Sequence, residues 1–342
     1  MTVRVAVAGT GYFSRFHYDG WSRLEGATLV GAASLDPNGL AEVGERFAID
    51  GLFDHVEVML EQSQPDLLDI AAPPNAHREL LDAAAARGIN VICQKPLGGD
   101  LEIARAMVAR AEEAGITFAV HENFRFQPWY REAKRLMEAG ELGDVTNISF
   151  RLRPGDGQGP DAYLDRQPYF QTMERFLIHE TAIHLIDSFR YLLGEMSGVY
   201  AHLRRLNPAI AGEDAGYLVF SFESGAGGLF DGNRLLDFPA ENPRLTMGEL
   251  LIEGTGGGLR LDGDGGLWLR SHGGVETAHA YAWQDQGFGG DCVFALQRHV
   301  LLHLQDGMPL ENSGRDYLRN LEIEALVYES AETGRFLRIA DV

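Results

Sequence analysis

Residues 6–14 read AVAGTGYFS, an apolar run that opens into two closely spaced glycines and then an aromatic, helix-compatible stretch. The run belongs to a longer strand-like segment, VRVAVAG over 3–9, so Gly9 and Gly11 follow a strand and precede a helix through Phe13 to Leu24. In that context a G-x-G-x-x-G spacing points to a dinucleotide: the first glycine allows a tight turn and the second lets the backbone approach a pyrophosphate. The third position needs only a small side chain for close helix–strand packing. Ser14 stands there, which weakens the match without cancelling it; a plain turn is the competing reading of a bare glycine pair. Asp36 ends the second strand, ATLVGAASLD over 27–36, at about the distance where a carboxylate reaches the adenosine ribose hydroxyl and repels a 2′-phosphate. NAD rather than NADP is expected, with helix capping before Pro37 as the structural alternative for Asp36.

Outward from this loop, short β-branched runs alternate with amphipathic stretches up to about residue 122, as parallel βαβ units do. DLLDIAA (66–72) reads as a strand ending in Pro73-Pro74, with Asn75 as candidate cap for the helix that follows. NVICQ, a helix capped by Asp100, and ITFAVHE continue the pattern, with a short strand allowed near Gly51 to Phe53. Beyond 123 the grammar changes. A helix is expected over 126–140, a strand over 146–154, a long polar and aromatic loop over 155–172, and a strong helix ending near Glu195. Residues 197–283 carry antiparallel strands with glycine-rich turns, including a hairpin at Ser224-Gly225, and helices over 289–306 and 314–333 close the chain. The fold class expected is α/β: a doubly wound Rossmann domain over 1–122, then an α+β domain over 123–342 with a largely antiparallel open sheet. Such a sheet needs cover, from helices on one face and another subunit on the other.

The 342 residues suffice for two domains with real cores, and 45% hydrophobic content describes a globular, soluble chain. Lys+Arg 29 against Asp+Glu 50 gives a formal charge of −21, which disfavours nucleic acid and anionic membrane surfaces and suits a small diffusible ligand. Cys93 and Cys292 lie far apart without metal-ligand spacing, so neither a disulfide framework nor a metal site is expected. No apolar run approaches the ~18 residues of a spanning helix and the start carries no leader-like segment, so a cytoplasmic location is expected.

In VICQKPLGGD (91–100) a buried strand runs into Lys95, which Pro96 biases toward extended backbone. A solvated edge charge is the bland reading. Ligands of doubly wound sheets collect at the carboxyl ends of strands, however, and Lys95 points to the rim that carries the glycine loop. On the helix expected over 174–194, Glu180 and His184 are i and i+4, with Leu177, Ile183, Ile186 and Leu193 packing inward. A carboxylate and an imidazole one turn apart can hold a hydroxyl and accept its proton, although such a pair is commonly a surface contact.

The glycine loop, the acid at 36, Pro-Pro-x-x-His at 73–77, Lys-Pro at 95–96 and an acid-x-x-x-His helix in the second domain together resemble the glucose-fructose oxidoreductase/inositol dehydrogenase/MocA family, over essentially the whole chain. The resemblance implies that Lys95 and His184 act on the substrate hydroxyl beside Glu180. Two departures stand out: the family usually has Glu where Gln94 stands and Asp where Glu180 stands. The cofactor pocket would draw on Gly9, Gly11, Tyr12, Phe13, Asp36, Ala72, Pro73, Pro74, His77, Gln94, Lys95 and Asn123, with His77 and Pro74 shaping it rather than doing chemistry. Within the family, segments including GYFSRFHYDGW, HENFRFQPWY and residues 151–171 are similar to bacterial D-apiose dehydrogenases, which oxidise the anomeric carbon of a branched pentose to a lactone with NAD.

For the sugar hydroxyls the candidates are Asn123, Arg125, Trp129, Arg153, Asp156, Tyr163 and His179, besides Lys95, Glu180 and His184. Arg125 can equally pair with a carboxylate of its own domain. Basic and acidic residues roughly balance over 151–175, which fits a small neutral sugar. Another aldose or cyclitol dehydrogenase of the same mechanism remains open, as does a non-catalytic NAD-binding sugar sensor. Self-association as a homodimer or homotetramer through the second-domain sheet is expected from the family and from exposed-edge logic.

Overall fold

Strands β1 (Val3–Ala8), β2 (Ala27–Ala33), β3 (Leu52–Phe53), β4 (Leu67–Ile70), β5 (Asn90–Gln94) and β6 (Phe118–His121) pair in parallel in the order β3-β2-β1-β4-β5-β6. The computed structural model describes residues 2–339. The inner strands are almost wholly buried, which is why LLDI and VRVAVA read as nearly continuous apolar runs: helices cover both faces of a parallel sheet. The crossovers are α1 (Ser14–Arg23), α2 (Pro37–Phe47), α3 (Val56–Ser63), α4 (His77–Ala85) and α5 (Leu101–Ala114). Strand order reverses between β1 and β4, and a ligand crevice is expected outside the carboxyl ends of those strands.

Helix starts follow side-chain chemistry. Asp36 caps α2 by accepting from the Asn38 N–H, with Pro37 at the first position, and Asp100 caps α5 by accepting from the Ile103 N–H at 2.7 Å. Asn75 does not cap α4. It lies inside a 3₁₀ turn, Pro74–Ala76, and a cap needs the non-helical backbone that this turn denies it.

The second sheet holds β7 (Val145–Leu152), β8 (Met196–Arg204), β9 (Ala215–Phe222), β10 (Gly227–Asn233), β11 (Gly248–Gly254), β12 (Gly257–Leu261), β13 (Leu267–Ser271), β14 (Thr277–His279) and β15 (Leu337–Arg338). Their order is β14-β13-β12-β11-β7-β10-β9-β8-β15, antiparallel throughout except where β7 and β10 run side by side. On β7, Ile148, Phe150 and Leu152 point inward while Asn147 and Arg151 are exposed, the period-2 pattern of a sheet with one wet face. The inner face packs against Leu185, Ile186 and Phe189 of α7 (Ile183–Leu193), which with α6 (Pro128–Glu138) helps build the core; each such side chain contributes roughly 1.5–3 kcal/mol on burial. Tyr217, Val219, Leu229 and Leu251 lie on the other face and are exposed.

Helices α8 (Cys292–Asp306) and α9 (Gly314–Thr333) complete the order. The chain divides into two compact units, and residues 291–319 fall in the first, with everything up to Asn123, rather than in the second as expected. The reason is packing: Arg23 on α1 forks onto Asp291 at 2.8 and 2.6 Å, Gln297 of α8 donates to the His17 carbonyl at 3.0 Å, and Val120 of β6 donates to the Asn312 carbonyl at 2.8 Å. The second unit is Phe124–Gly290 with the chain from Asn320 on. Among the described residues no helix is long and apolar enough to cross a membrane.

Candidate active site

At the carboxyl rim of the first sheet the two glycines serve different ends. Gly9 has φ of +116°, and a Cβ there would lie 2.4 Å from the Ala71 carbonyl oxygen, so the crossing of the β1 and β4 ends requires glycine. Gly11 meets nothing: a Cβ would have no neighbour within 4 Å. The protein's own packing does not demand glycine at 11, and the open space over the loop suits a close-approaching pyrophosphate. Ser14 turns inward, 3% exposed, and donates to the Gly11 carbonyl at 2.7 Å, filling the third position with a small, satisfied side chain. Helix α1 begins here with no acidic residue in its first turn, leaving its positive end unopposed.

Asp36 caps α2. One carboxylate oxygen accepts the Asn38 N–H at 3.0 Å, and the side chain is exposed after β2, so the cap does not preclude a contact with a ribose hydroxyl. Tyr12 is 39% exposed with the Arg15 guanidinium 4.2 Å over its ring, and Phe13 meets His17 edge-on. After β4, Ala72, Pro73 and Pro74 make the turn; the buried His77 donates from Nε2 to the Ala72 carbonyl at 2.8 Å, and burial pulls its pKa down, holding the ring neutral. Asn123, beyond β6, is 3% exposed and its Nδ2 has no hydrogen-bond partner. An unpaired buried donor on this rim fits a ligand acceptor. The residues present therefore fit a bound dinucleotide.

Lys95 follows β5 directly, partly exposed, and its peptide bond to Pro96 is cis. Its backbone N–H donates to Gln94 Oε1 at 2.7 Å, and Gln94 Nε2 lies 3.1 Å from His17 Nε2. His17 is fully buried, with Nδ1 2.9 Å from a carboxylate oxygen of Asp69, which also takes the Trp21 indole N–H at 2.7 Å. Gln94 thus partners the backbone of Lys95 and the ring of His17.

In the second unit, residues 174–176 are not helical, Leu177–Ala182 form a π-helical turn, and the α-helix begins at Ile183. The buried Glu213 sets this entry: one carboxylate oxygen accepts the N–H of Phe176 at 3.0 Å and of Ile178 at 3.1 Å, and the hydroxyl of Tyr328 at 2.8 Å. Glu180 consequently sits, half-buried, in the wide π turn, and His184 in the first turn of α7, instead of both on one regular α-helix. π turns are frequent at functional sites. The His184 ring is held flat against Phe124, centroids 4.0 Å apart and planes 5° apart. His179 is engaged by Glu324 at 2.6 Å.

Several sugar-binding candidates carry structural partners. Arg125 takes the own-domain reading: its fork donates to Asp187 at 2.7 and 2.6 Å, and Asn320 donates to the same carboxylate. Removing one member of a buried pair costs roughly 3–5 kcal/mol, because the other charge is stranded. Arg153 donates to the Leu152 and Asp231 carbonyls, both at 2.8 Å, and to the Asp231 carboxylate. Asp156 accepts from Arg234 at 3.1 and 2.7 Å, from Arg166 at 3.3 Å and from Tyr163 at 3.2 Å; burial raises its pKa, but Arg234 and the other donors outweigh burial and hold it below the ordinary value. Tyr163 packs in a buried cluster with Phe170, Phe176 and Ile210, and Trp129 is fully buried core. Sequence reasoning missed Arg234, Glu213, Asp69 and His17. His17 and Asp69 lay inside segments already singled out, GYFSRFHYDGW and DLLDIAA, but none of the four carries a local spacing that marks its role.

Comparison with known proteins agrees with this geometry. Residues 3–122 match the model of an oxidoreductase family with an NAD-binding Rossmann fold, and residues 130–260 match the GFO/IDH/MocA C-terminal domain. D-apiose dehydrogenases of Paraburkholderia graminis and Rhizobium rhizogenes are 34% and 31% identical, each over 98% of this chain, and are themselves covered over 89% and 96%. A crystal structure of an oxidoreductase from Agrobacterium radiobacter in complex with NAD+, L-tartaric acid and magnesium superposes with a TM-score of 0.89 at 30% identity, covering 99% of this chain and 98% of that one.

NAD is the cofactor, and two substitutions separate its contacts from the fold. Gly11→Ala is expected to leave thermal stability unchanged while weakening NAD about tenfold or more by calorimetry, whereas Gly9→Ala lowers stability as well; equal NAD affinity in Gly11→Ala would remove the loop's assigned role. Asp36→Ser keeps a capping oxygen and removes the charge, so stability is expected to hold while the preference for NAD over NADP falls about tenfold; an unchanged preference would free Asp36 from that role. Matched by family models in both domains and by members along nearly its whole length, the chain belongs to the GFO/IDH/MocA oxidoreductases and is an NAD-dependent sugar dehydrogenase.

Proposed function

We propose that the enzyme oxidises the anomeric carbon of an aldose, D-apiose foremost, to its lactone. The observation that carries this reading is the length of the likeness: the relatives named D-apiose dehydrogenase align over 98% of this chain. NAD, when bound, accepts the hydride from the anomeric carbon. The remaining task is to remove the hydroxyl proton as the C–O bond becomes a carbonyl.

In this reading His184 takes that proton, since a neutral imidazole is a competent base near pH 7 and the flat contact with Phe124 fixes its plane. Lys95 holds and polarises the hydroxyl oxygen, and Glu180 binds a neighbouring hydroxyl. Composition supports a chemical role for the lysine: of 29 Lys+Arg residues only Lys95 and Lys134 are lysine. Where this chain needs a permanent cation it uses arginine, which cannot release a proton. Asn123 is the further sugar or cofactor donor, supported by its unpaired Nδ2. Self-association through the open sheet face belongs to the same reading, supported by the exposed Tyr217, Val219, Leu229 and Leu251. So does a cytoplasmic location, supported by two buried free cysteines.

Two measurements test it. Incubation with NAD and a panel of pentoses, hexoses and inositols is expected to give the highest kcat/KM with D-apiose, with lactone as first product; a cyclitol as best substrate would overturn the assignment. Tight NAD binding with no NADH from any sugar would instead make the protein a sensor. Lys95→Ala is expected to lower kcat by about two to four orders of magnitude with NAD affinity near normal, and a variant that kept its rate would remove Lys95 from the chemistry.

A further inference from the structure

Beneath Lys95 runs a continuous chain of hydrogen bonds whose polarity can be assigned atom by atom. The backbone N–H of Lys95 is a donor, so the Gln94 atom 2.7 Å away is its carbonyl oxygen and the amide NH2 faces His17. Asp69 is an acceptor at both oxygens, so the His17 nitrogen 2.9 Å from it, Nδ1, carries a hydrogen. The amide donates to His17 Nε2, which must present a lone pair. Every link is then satisfied with a neutral imidazole, and the Trp21 indole N–H closes the far end on Asp69.

The surroundings enforce this arrangement. His17 and Asp69 are fully buried, and His121 stacks on His17 with ring centroids 4.0 Å apart. Burial pushes the pKa of His121 well down, so the ring facing His17 is uncharged; burial likewise pushes the Cys93 thiol up. Asp69 is the charged group of this set; helix α1 contributes His17 and Trp21, strand β4 Asp69 and strand β5 Gln94.

We propose that His17 is a positioning residue for Lys95: anchored by Asp69 and Trp21, it holds the Gln94 amide in one orientation so that Oε1 pins the Lys95 backbone and aims the side chain. Gln94 and a neutral His17 form a matched pair. A glutamate at 94 would set a carboxylate oxygen against Nε2 and require a second hydrogen on the ring, so residue 94 determines the charge of the imidazole under the lysine. This rests on the proposed role of Lys95 in catalysis, but not on the identity of the sugar.

The test uses the full-length protein with NAD. His17→Asn keeps an N–H where Nδ1 donates to Asp69 and removes the acceptor for Gln94. With folding confirmed by thermal melting, kcat is expected to fall roughly tenfold to a hundredfold while the sugar KM and NAD dissociation constant change less than about threefold. Gln94→Met is expected to match it and serves in its place if His17→Asn does not fold, because residue 94 is only half-buried. Gln94→Glu, which retains an acceptor for the Lys95 N–H, is expected to keep most of kcat while imidazole 15N spectra change from one protonated ring nitrogen on His17 to two.

Because the chain has two lysines, lysine-labelled protein gives two side-chain signals, assigned by Lys134→Arg. The Lys95 signal is expected to move in His17→Asn and Gln94→Met and to hold still for substitutions elsewhere. A structural role alone would lower stability yet leave kcat within about twofold and the Lys95 signal in place; that result overturns the proposal. If no sugar is oxidised the catalytic reading fails, and the lysine signal still decides whether the chain of bonds aims Lys95.

Discussion

A carboxylate buried inside a parallel strand has to be answered, and the first unit is arranged around that requirement. Asp69 sits in LLDI with every residue of its strand buried. Burial pushes its pKa up, but the nearness and hydrogen bond of the His17 ring and the Trp21 N–H outweigh burial and keep it below its ordinary value. Both partners lie on α1, so α1 is tied to β4 across the point where strand order reverses. The glycine loop leads into that same helix. Its height over the sheet is fixed by the Gly9–Ala71 approach on one side and by the Asp69 bonds on the other. Loss of Asp69 would therefore reach the cofactor loop and the lysine without touching either.

The second unit answers its buried carboxylates with a different chemistry. Asp187 is met by Arg125 and Asp156 by Arg234, permanent cations that neutralise the charge whatever the pH. Arg234 is only 2% exposed and its guanidinium also lies over the rings of Tyr163, Phe170 and Phe176, so the loop of 155–172 is fastened by one residue through charge and aromatic faces together. Glu213 is answered by backbone N–H groups, and this shapes the π turn that carries Glu180. Under Lys95 the partner of the buried Asp69 is an imidazole, where a second fixed cation would oppose the lysine's own charge.

What could be read from the sequence was what local physics writes into neighbouring residues. Strand–glycine–helix order, the acid after the second strand, the cap at Asp100 and the lysine at a strand end all depend on residues within a few positions. The start of the helix before Glu180 could not be read, because it is set by Glu213, some thirty residues on; the return of residues 291–319 to the first unit depends on α1 meeting α8, a contact with no sequence period. Asn75 misled for a local reason: Pro74 starts a 3₁₀ turn that a capping pattern does not reveal. Gln94 looked like a departure in need of explanation, and its explanation lies 77 residues upstream at His17.

The strongly acidic composition and an anionic cofactor are reconciled by distance. A net charge of −21 repels a dinucleotide at long range, but at physiological ionic strength the potential is screened beyond about 8 Å, so affinity depends on what lies within the first contact shell. There the charges are sorted. The first turn of α1 carries no acid, which leaves its positive end unopposed, and the acid stands instead at Asp36, exposed after β2. The same excess of acid that excludes polyanions from the surface therefore costs the cofactor little. With no favourable global field, the open space over Gly11 and the unopposed end of α1 are the features of this rim that suit an anionic group.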